Sequence, residues 1–281
     1  MTYSQLSSAC KSGNLEYVKT LLKRKDIDVN QMCQNGAPPF YYACEYGHLD
    51  IVKLLLSDER VDIRKPNFLG WTPFYIACDN GHIEIVKLLL NDSRVDIGIP
   101  HFLGWRPFYI ACYFKQIEVI KLLLNDGRVE VNHSNNETET PFYLACCHGR
   151  IEVVKLLLND KRVDINQANY RGLTPLTIAC FQGYLDVVEL LFSSEREINL
   201  TTQNNSGKTA LDIAKEGSIE GRRSWESQGD FLERKSNCQI IVQLIESFKK
   251  DPIKTRFLLK RKLGSYGTFN FIDYLFSKQL S

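Results

Sequence analysis

The sequence predicts an all-α solenoid, in which paired antiparallel helices stack in register and extended, β-hairpin-like fingers join one pair to the next. Two observations predict it. The first is a set of ladders: Pro39, Pro73, Pro107, Pro141 and Pro175 recur every 34 residues, and Gly13, Gly47, Gly81, Gly149 and Gly183 keep the same frame, with Lys115 in the missing slot. Lys19, Lys53, Lys87, Lys121 and Lys155 share that phase, as do Arg60, Arg94, Arg128, Arg162 and Arg196. A repeat of this length is one supersecondary unit that buries its apolar face only against its neighbours. The second is the apolar spacing within each unit, which is helical twice over.

The third copy shows the elements in order. Thr72 suits an N-cap, and Pro73 suits the first helical position, where no intrahelical donor is lost. Phe74, Ala77 and Cys78 follow at helical spacing and place one apolar stripe on a short first helix. Gly81 ends it, because the position after a helix favours positive φ. Ile83, Val86, Leu89 and Leu90 begin a second stripe, with Glu84 near the start and Lys87 one turn later, favourable to the helix dipole and to each other. "NDSRVDI" then leads outward, and "NFLG" supplies a turn in which Gly70 is free to take positive φ.

At this point the residues carry a family likeness. "GWTPFYIACDNGHIEIVKLLL" is similar to the ankyrin repeat, whose pattern contains T-P-L-H-x-A followed by G-H and an I-V-x-L-L-L run. The resemblance implies an ankyrin-repeat solenoid of about seven units over residues 1–250. A cap occupies 1–32, clear repeats span 33–66, 67–100, 101–134, 135–168 and 169–203, and an interrupted last repeat spans 204–250. The period departs from the family's usual 33 by one residue, apparent in the loop after the second helix. The His of the family pattern is Tyr41, Tyr75, Tyr109 and Tyr143 and then Thr177, and Arg106 replaces the N-cap Thr in the fourth copy. These departures put the family's usual turn hydrogen bonds in question without threatening the stack.

The last repeat carries a polar insert at about 216–237, with Gly221, Gly229 and a lone Trp225. Its composition predicts an exposed, partly disordered excursion between two helices. A helical C-terminal extension, 251–281, begins at "DPIKTRFLLKRKLG", where Asp251 suits an N-cap, Pro252 the first turn and Gly264 the terminus. Ile253, Phe257 and Leu258 are expected to line its apolar face, and a second short helix is expected at 269–276. The extension reads as a cap over the last apolar layer, as terminal repeats require; a basic docking helix is the other reading.

Composition excludes several functions. A formal net charge of +2 provides no field to gather nucleic acid. The longest apolar run, about seven residues at 108–114, is too short for a membrane span. The start, MTYSQLSSACK, does not read as a secretory leader. Cys10, Cys44, Cys78, Cys112, Cys146 and Cys180 fall one per repeat; helix layers about 8–10 Å apart exceed the roughly 7 Å reach of a disulfide. Small, buried, reduced thiols fit a cytoplasmic protein or a nuclear one, with the off-frame Cys33, Cys147 and Cys238 expected to be the most reactive.

No Walker loop, dinucleotide glycine pattern, Gly-x-Ser-x-Gly or His-Glu-x-x-His occurs, so neither an enzyme nor a cofactor is expected. His82 and Glu84 sit at repeat positions matched by His48 and Asp50, and read as turn structure instead of a metal pair. "CCHG" lacks the spaced donors of a zinc site. Arg60, Arg94, Arg128 and Arg162 stand two residues before Asp62, Asp96, Glu130 and Asp164 and are expected to pair with them on a solvated face.

The resemblance places partner contacts on the finger tips and the last turn of each first helix. Those slots hold Phe68, Leu69 and Trp71 in the third copy and Phe102, Leu103 and Trp105 in the fourth. Helix-end slots add Tyr46, Asn80, Tyr113, Phe114 and His148. Large apolar residues concentrated there predict a protein-binding patch, although the tryptophans could instead stack on each other and stiffen the fingers. The expectation is a monomeric, non-catalytic scaffold for another protein, without nucleic acid or membrane. An adaptor or effector whose insert or basic extension recruits a second protein is the alternative.

Overall fold

The computed structural model describes residues 5–33 and 36–264, all in helices, turns or irregular segments with no strand among them. The fold divides into two units, one ending at Pro141 and the other starting at Phe142.

The first unit holds α1 (Gln5–Ser12), α2 (Leu15–Leu22), α3 (Pro39–Glu45), α4 (Leu49–Leu56), α5 (Pro73–Asp79), α6 (Ile83–Leu90), α7 (Pro107–Tyr113) and α8 (Ile117–Leu124). Each odd helix packs on its own partner, α1, α3 and α5 each pack on the next odd helix, and the even helices form a second layer. Thr72 caps α5 by accepting from the Tyr75 amide at 3.0 Å, whereas Arg106 starts α7 without a side-chain cap. Gly47, at φ 75°, turns the chain between α3 and α4, and a Cβ there would lie 2.7 Å from the His82 ring. His82 crosses that gap to donate from Nε2 to the Glu45 carbonyl at 3.0 Å, as His48 does to Lys11 at 3.1 Å. Gln116 replaces the histidine one repeat on, bonding the Asp79 carbonyl at 2.6 Å, and Lys115 adopts the glycine conformation at φ 58°.

Tyrosine in place of the family's histidine has a geometric consequence. The Asn67 amide donates to the Tyr41 hydroxyl at 3.3 Å, and Asn135 does so to Tyr109 at 3.0 Å. Each bond ties a first helix to the following finger. Asn169 and Tyr143 repeat the pair in the second unit at 3.1 Å.

The expected pairing of the arginine ladder is corrected. Arg60, Arg94 and Arg128 form 2.6 Å ion pairs with Asp58, Asp92 and Asp126, two residues earlier. Their guanidinium groups also reach the carbonyls of Leu22, Leu56 and Leu90, the last residues of α2, α4 and α6. Helix C-termini leave carbonyls without intrahelical donors, and the fork satisfies one from the next repeat. Asp62 and Asp96 instead accept the amides of Arg64 and Gly98, and Glu130 pairs with Arg106 at 2.9 Å. Arg162 likewise pairs with Asp160, and Asp164 accepts the Asn166 amide.

None of the nine cysteines is in a disulfide, and the six in-frame ones are buried. Burial pushes the Cys10 thiol up to about 12. Cys33 and Cys238 are buried as well, against expectation, and of the off-frame thiols Cys147 alone is partly exposed. Cys33 opens a finger, its backbone N–H donating to the Ala37 carbonyl at 3.1 Å, and Cys238 lies in the helix layer beside the Cys180 carbonyl.

α9 (Pro141–Cys147) begins at the boundary, and the second unit continues with α10 (Ile151–Asn159), α11 (Pro175–Gln182), α12 (Leu185–Ser193), α13 (Ala210–Ile219), α14 (Gln228–Lys250) and α15 (Pro252–Lys262). The insert is ordered where a disordered excursion was expected. Ser227 and Asp230 form a capping box that starts α14 ten residues before the resumed repeat sequence at Cys238. Arg234, buried, pins the preceding loop through Glu226 at 2.6 Å and the Gly217 and Gly221 carbonyls at 3.2 Å. Arg223, also buried, donates to the Phe181 carbonyl at 2.8 Å.

α15 starts as expected, with Asp251 accepting the Lys254 amide at 2.9 Å and Gly264 at φ 68°. Its buried residues are Thr255 and Leu259, however, while Ile253 and Leu258 face solvent and Phe257 is partly covered. The packing face is set by α12 and α14, and ion pairs fix it: Lys260 with Glu195 at 2.9 Å and Lys262 with Glu189 at 2.6 Å. The helix expected at 269–276 lies outside the described residues.

Candidate interaction surface

The third and fourth finger tips are each built by one side chain that satisfies its own turn. Asn67 accepts the Leu69 amide at 2.9 Å and the Trp71 amide at 3.0 Å through Oδ1, while its backbone N–H donates to the Trp71 carbonyl. Gly70, at φ 78°, completes the turn. Phe68 and Leu69 are thereby held at the tip, with Phe68 70% exposed. In the fourth finger His101 takes the asparagine slot, and its Nδ1 accepts the Leu103 amide at 2.8 Å. Phe102, 64% exposed, and Leu103 stand at this tip.

The tryptophans occupy a different level. Trp71 and Trp105 are half-buried, and they do not stack on one another. His101 lies between them, parallel to both, with ring centroids 6.3 Å from Trp71 and 5.3 Å from Trp105. Trp71 also stacks on Tyr75 at 5.9 Å, and Trp105 meets Tyr109 at 5.5 Å and Tyr113 at 5.6 Å. Tyr113 stands edge-on to Phe114, which is exposed. The rings thus run continuously from the finger base to the end of α7. Burial lowers the His101 pKa, so the ring is neutral at physiological pH, which agrees with Nδ1 acting as acceptor.

Of the residues the sequence singled out, Phe68, Leu69, Phe102, Leu103, Phe114, Tyr46 and Asn80 are exposed in the first unit, and Tyr113 is half-buried. Trp71 and Trp105 form the wall beneath the tips. His148 is exposed and belongs to the second unit. Sequence reasoning missed His101. Its signal was the ladder Asn67, Asn135 and Asn169, which His101 interrupts in frame.

Two carboxylates stand at first-helix ends behind these rings: Asp79 follows by one helical turn Tyr75, whose ring stacks on Trp71 and His101. Asp79 ends α5 and Glu45 ends α3. Burial pushes the Asp79 carboxyl up to about 6 and also raises Glu45, which Lys11 partly offsets. A separate cleft of about 450 Å³ is lined by Arg94, Arg106, Arg128, Glu130 and His133 among others, and these three arginines already have carboxylate partners. Among the described residues no group of three or more His, Cys, Asp or Glu could hold a metal ion, and no helix is long and apolar enough to cross a membrane.

Comparison with known proteins agrees with this architecture. A family model described as ankyrin repeats (3 copies) matches residues 6–101 and 93–169, and one described as ankyrin repeats (many copies) matches 160–214. The structure resembles the human ASB11 ankyrin repeat domain at 26% identity and TM-score 0.63, over 83% of this chain and 98% of that one. It also resembles the ankyrin repeat domain of Bcl-3, described as a unique member of the IkappaB protein family. That match has 19% identity and TM-score 0.68, over 84% of this chain and 98% of that one. A search of curated protein sequences gives no match.

Proposed function

The chain belongs to the ankyrin-repeat family, and we propose that it is a non-catalytic scaffold whose first unit presents its finger tips and first-helix ends to another protein. Ankyrin repeats are protein-interaction modules, and the choice of face is our reading. One observation carries it: Phe68, Leu69, Phe102, Leu103 and Phe114 are exposed on one unit, with Phe102 stacked on His101 and Phe114 edge-on to Tyr113. Exposed apolar groups on this scale mark binding sites, and aromatic anchors dominate interface energies. The scaffold is proposed to act as a monomer in the cytoplasm or nucleus.

The test is capture from native lysate followed by mass spectrometry, with Phe68→Ala/Phe102→Ala as the control bait. A partner retained by the parent chain and lost with the variant supports the reading. Equal retention by both counts against it.

The insert supports a second reading, in which it recruits a further protein. Trp225 is 77% exposed on a loop that Arg223 and Arg234 anchor. The basic extension supports that role less, because Lys260 and Lys262 are engaged by Glu195 and Glu189. A partner lost with Trp225→Ala but kept by Phe68→Ala/Phe102→Ala would favour the insert.

A further inference from the structure

The exposed aromatic surface of the first unit carries a charge pattern that constrains what covers it. Asp79 and Glu45 are the last residues of α5 and α3, so each carboxylate stands at a helix C-terminus, where backbone carbonyls already concentrate negative charge. Asp79 lies close enough to raise the pKa of Glu45, Tyr41 and Tyr75. Lys11 acts on Glu45, but among the described residues no cation and no hydrogen-bond donor reaches the Asp79 carboxylate. The end of α5 is held in place by the 2.6 Å bond from Gln116 to the Asp79 carbonyl.

A carboxylate partly withdrawn from water, at the negative end of a helix and beside a second carboxylate, is disfavoured in the free protein. Burial is the cost that raises the Asp79 carboxyl, and an arriving cation would compensate it with direct charge pairing. Tyr113 occupies the slot equivalent to Asp79 one repeat on, and an aromatic face beside a carboxylate adds cation–π attraction. The ring of His101 links Tyr75, one turn before Asp79, to the tip residue Phe102 at 4.7 Å, and the exposed tips Phe102 and Leu103 call for apolar cover.

We propose that the occupant of this surface is a segment of another protein carrying a lysine or arginine seated against Asp79, flanked by apolar residues that cover Phe102 and Leu103. This deepens the contact-face reading and rests on it. The two carboxylates alone would fit many cations, and the apolar tips alone would fit any greasy chain. Together they select a basic side chain set in an apolar sequence.

The experiment is to pan a phage-displayed library of random peptides against the full chain. The dominant sequence is then synthesised and titrated against the parent, Asp79→Asn and Phe102→Ala. Asp79→Asn preserves the side-chain shape, so it separates charge from packing. The expected result is enrichment of a lysine or arginine beside apolar residues, with at least about tenfold weaker binding to Asp79→Asn, the size of one lost charged contact. Phe102→Ala should weaken the same peptide. Apolar peptides weakened by Phe102→Ala but indifferent to Asp79→Asn would overturn the cation and leave the contact face standing. Peptides indifferent to both variants, or no enrichment at all, would overturn the cation and the contact face together.

Discussion

The side-chain amide of Asn135 donates a 3.0 Å hydrogen bond to the hydroxyl of Tyr109, one repeat earlier in the stack. Asn135 also accepts the amides of Glu137 and Glu139 at 2.9 Å, so one buried residue closes its own finger and ties it to the preceding first helix. Removing a buried polar hub strands its partners. Asn135→Ala is expected to cost about 2–3 kcal/mol of unfolding free energy and Tyr109→Phe about 1 kcal/mol, read by urea denaturation. Equal, negligible losses would mean that the ladder is incidental.

Two residues occupy a conformation that glycine fills elsewhere in the repeat. Lys115 has φ 58° and Thr138 φ 56°. A side chain in the left-handed region costs roughly 1–2 kcal/mol, partly offset in glycine by its greater chain entropy. Lys115→Gly and Thr138→Gly should each therefore raise stability by about 0.5–1 kcal/mol. The β-branched Thr138 is expected to show the larger gain. A loss in either variant would contradict the strain.

Thiol labelling of the native chain should show one fast site, Cys147, because it alone is not buried. Cys147→Ser should abolish the fast phase. A fast phase that persists would place Cys33 or Cys238 nearer the surface than their packing allows.

Asp79 also shapes the pH dependence of stability. Its folded pKa of about 6 lies above the unfolded value near 4, so the native state binds more protons in that window. Its contribution is destabilising and present in full above pH 6. It fades as the pH falls from 6 to 4 and is absent below 4, where both states are protonated. Asp79→Asn should accordingly raise the melting temperature at pH 7.5 and leave it unchanged near pH 4. The same variant is expected to lose affinity for basic peptides, so stability and binding would move in opposite directions at one residue.

The stack was legible because each buried slot recurs: the prolines start the first helices, and the aliphatic stripes and in-frame cysteines fill the core. Features that depend on contacts between repeats were not. Arg60 and Asp62 are neighbours in sequence, but the helix end that Arg60 satisfies, at Leu22, is 38 residues away. The order in the insert was hidden because its polar composition resembles a loop. Arg223 and Arg234, among its polar residues, are buried in ion pairs, and the Ser227–Asp230 box was readable in the sequence. The candidate surface was legible at its tips, Phe68 and Phe102, and not at its wall. The asparagine ladder marked the slot of His101, but the stacking of its ring between Trp71 and Trp105 depends on contacts between repeats.

The central claim is that the finger tips serve contact and the helix stripes serve the scaffold. The most direct measurement is the unfolding free energy and partner affinity of Phe68→Ala/Phe102→Ala, set beside Leu89→Ala, whose side chain is buried in α6. The tip variant should lose no more than about 1 kcal/mol of stability and at least about 2 kcal/mol of binding, whereas Leu89→Ala should lose roughly 2–5 kcal/mol of stability. A tip variant as unstable as Leu89→Ala, or one that binds its partner as tightly as the parent chain, would contradict the claim.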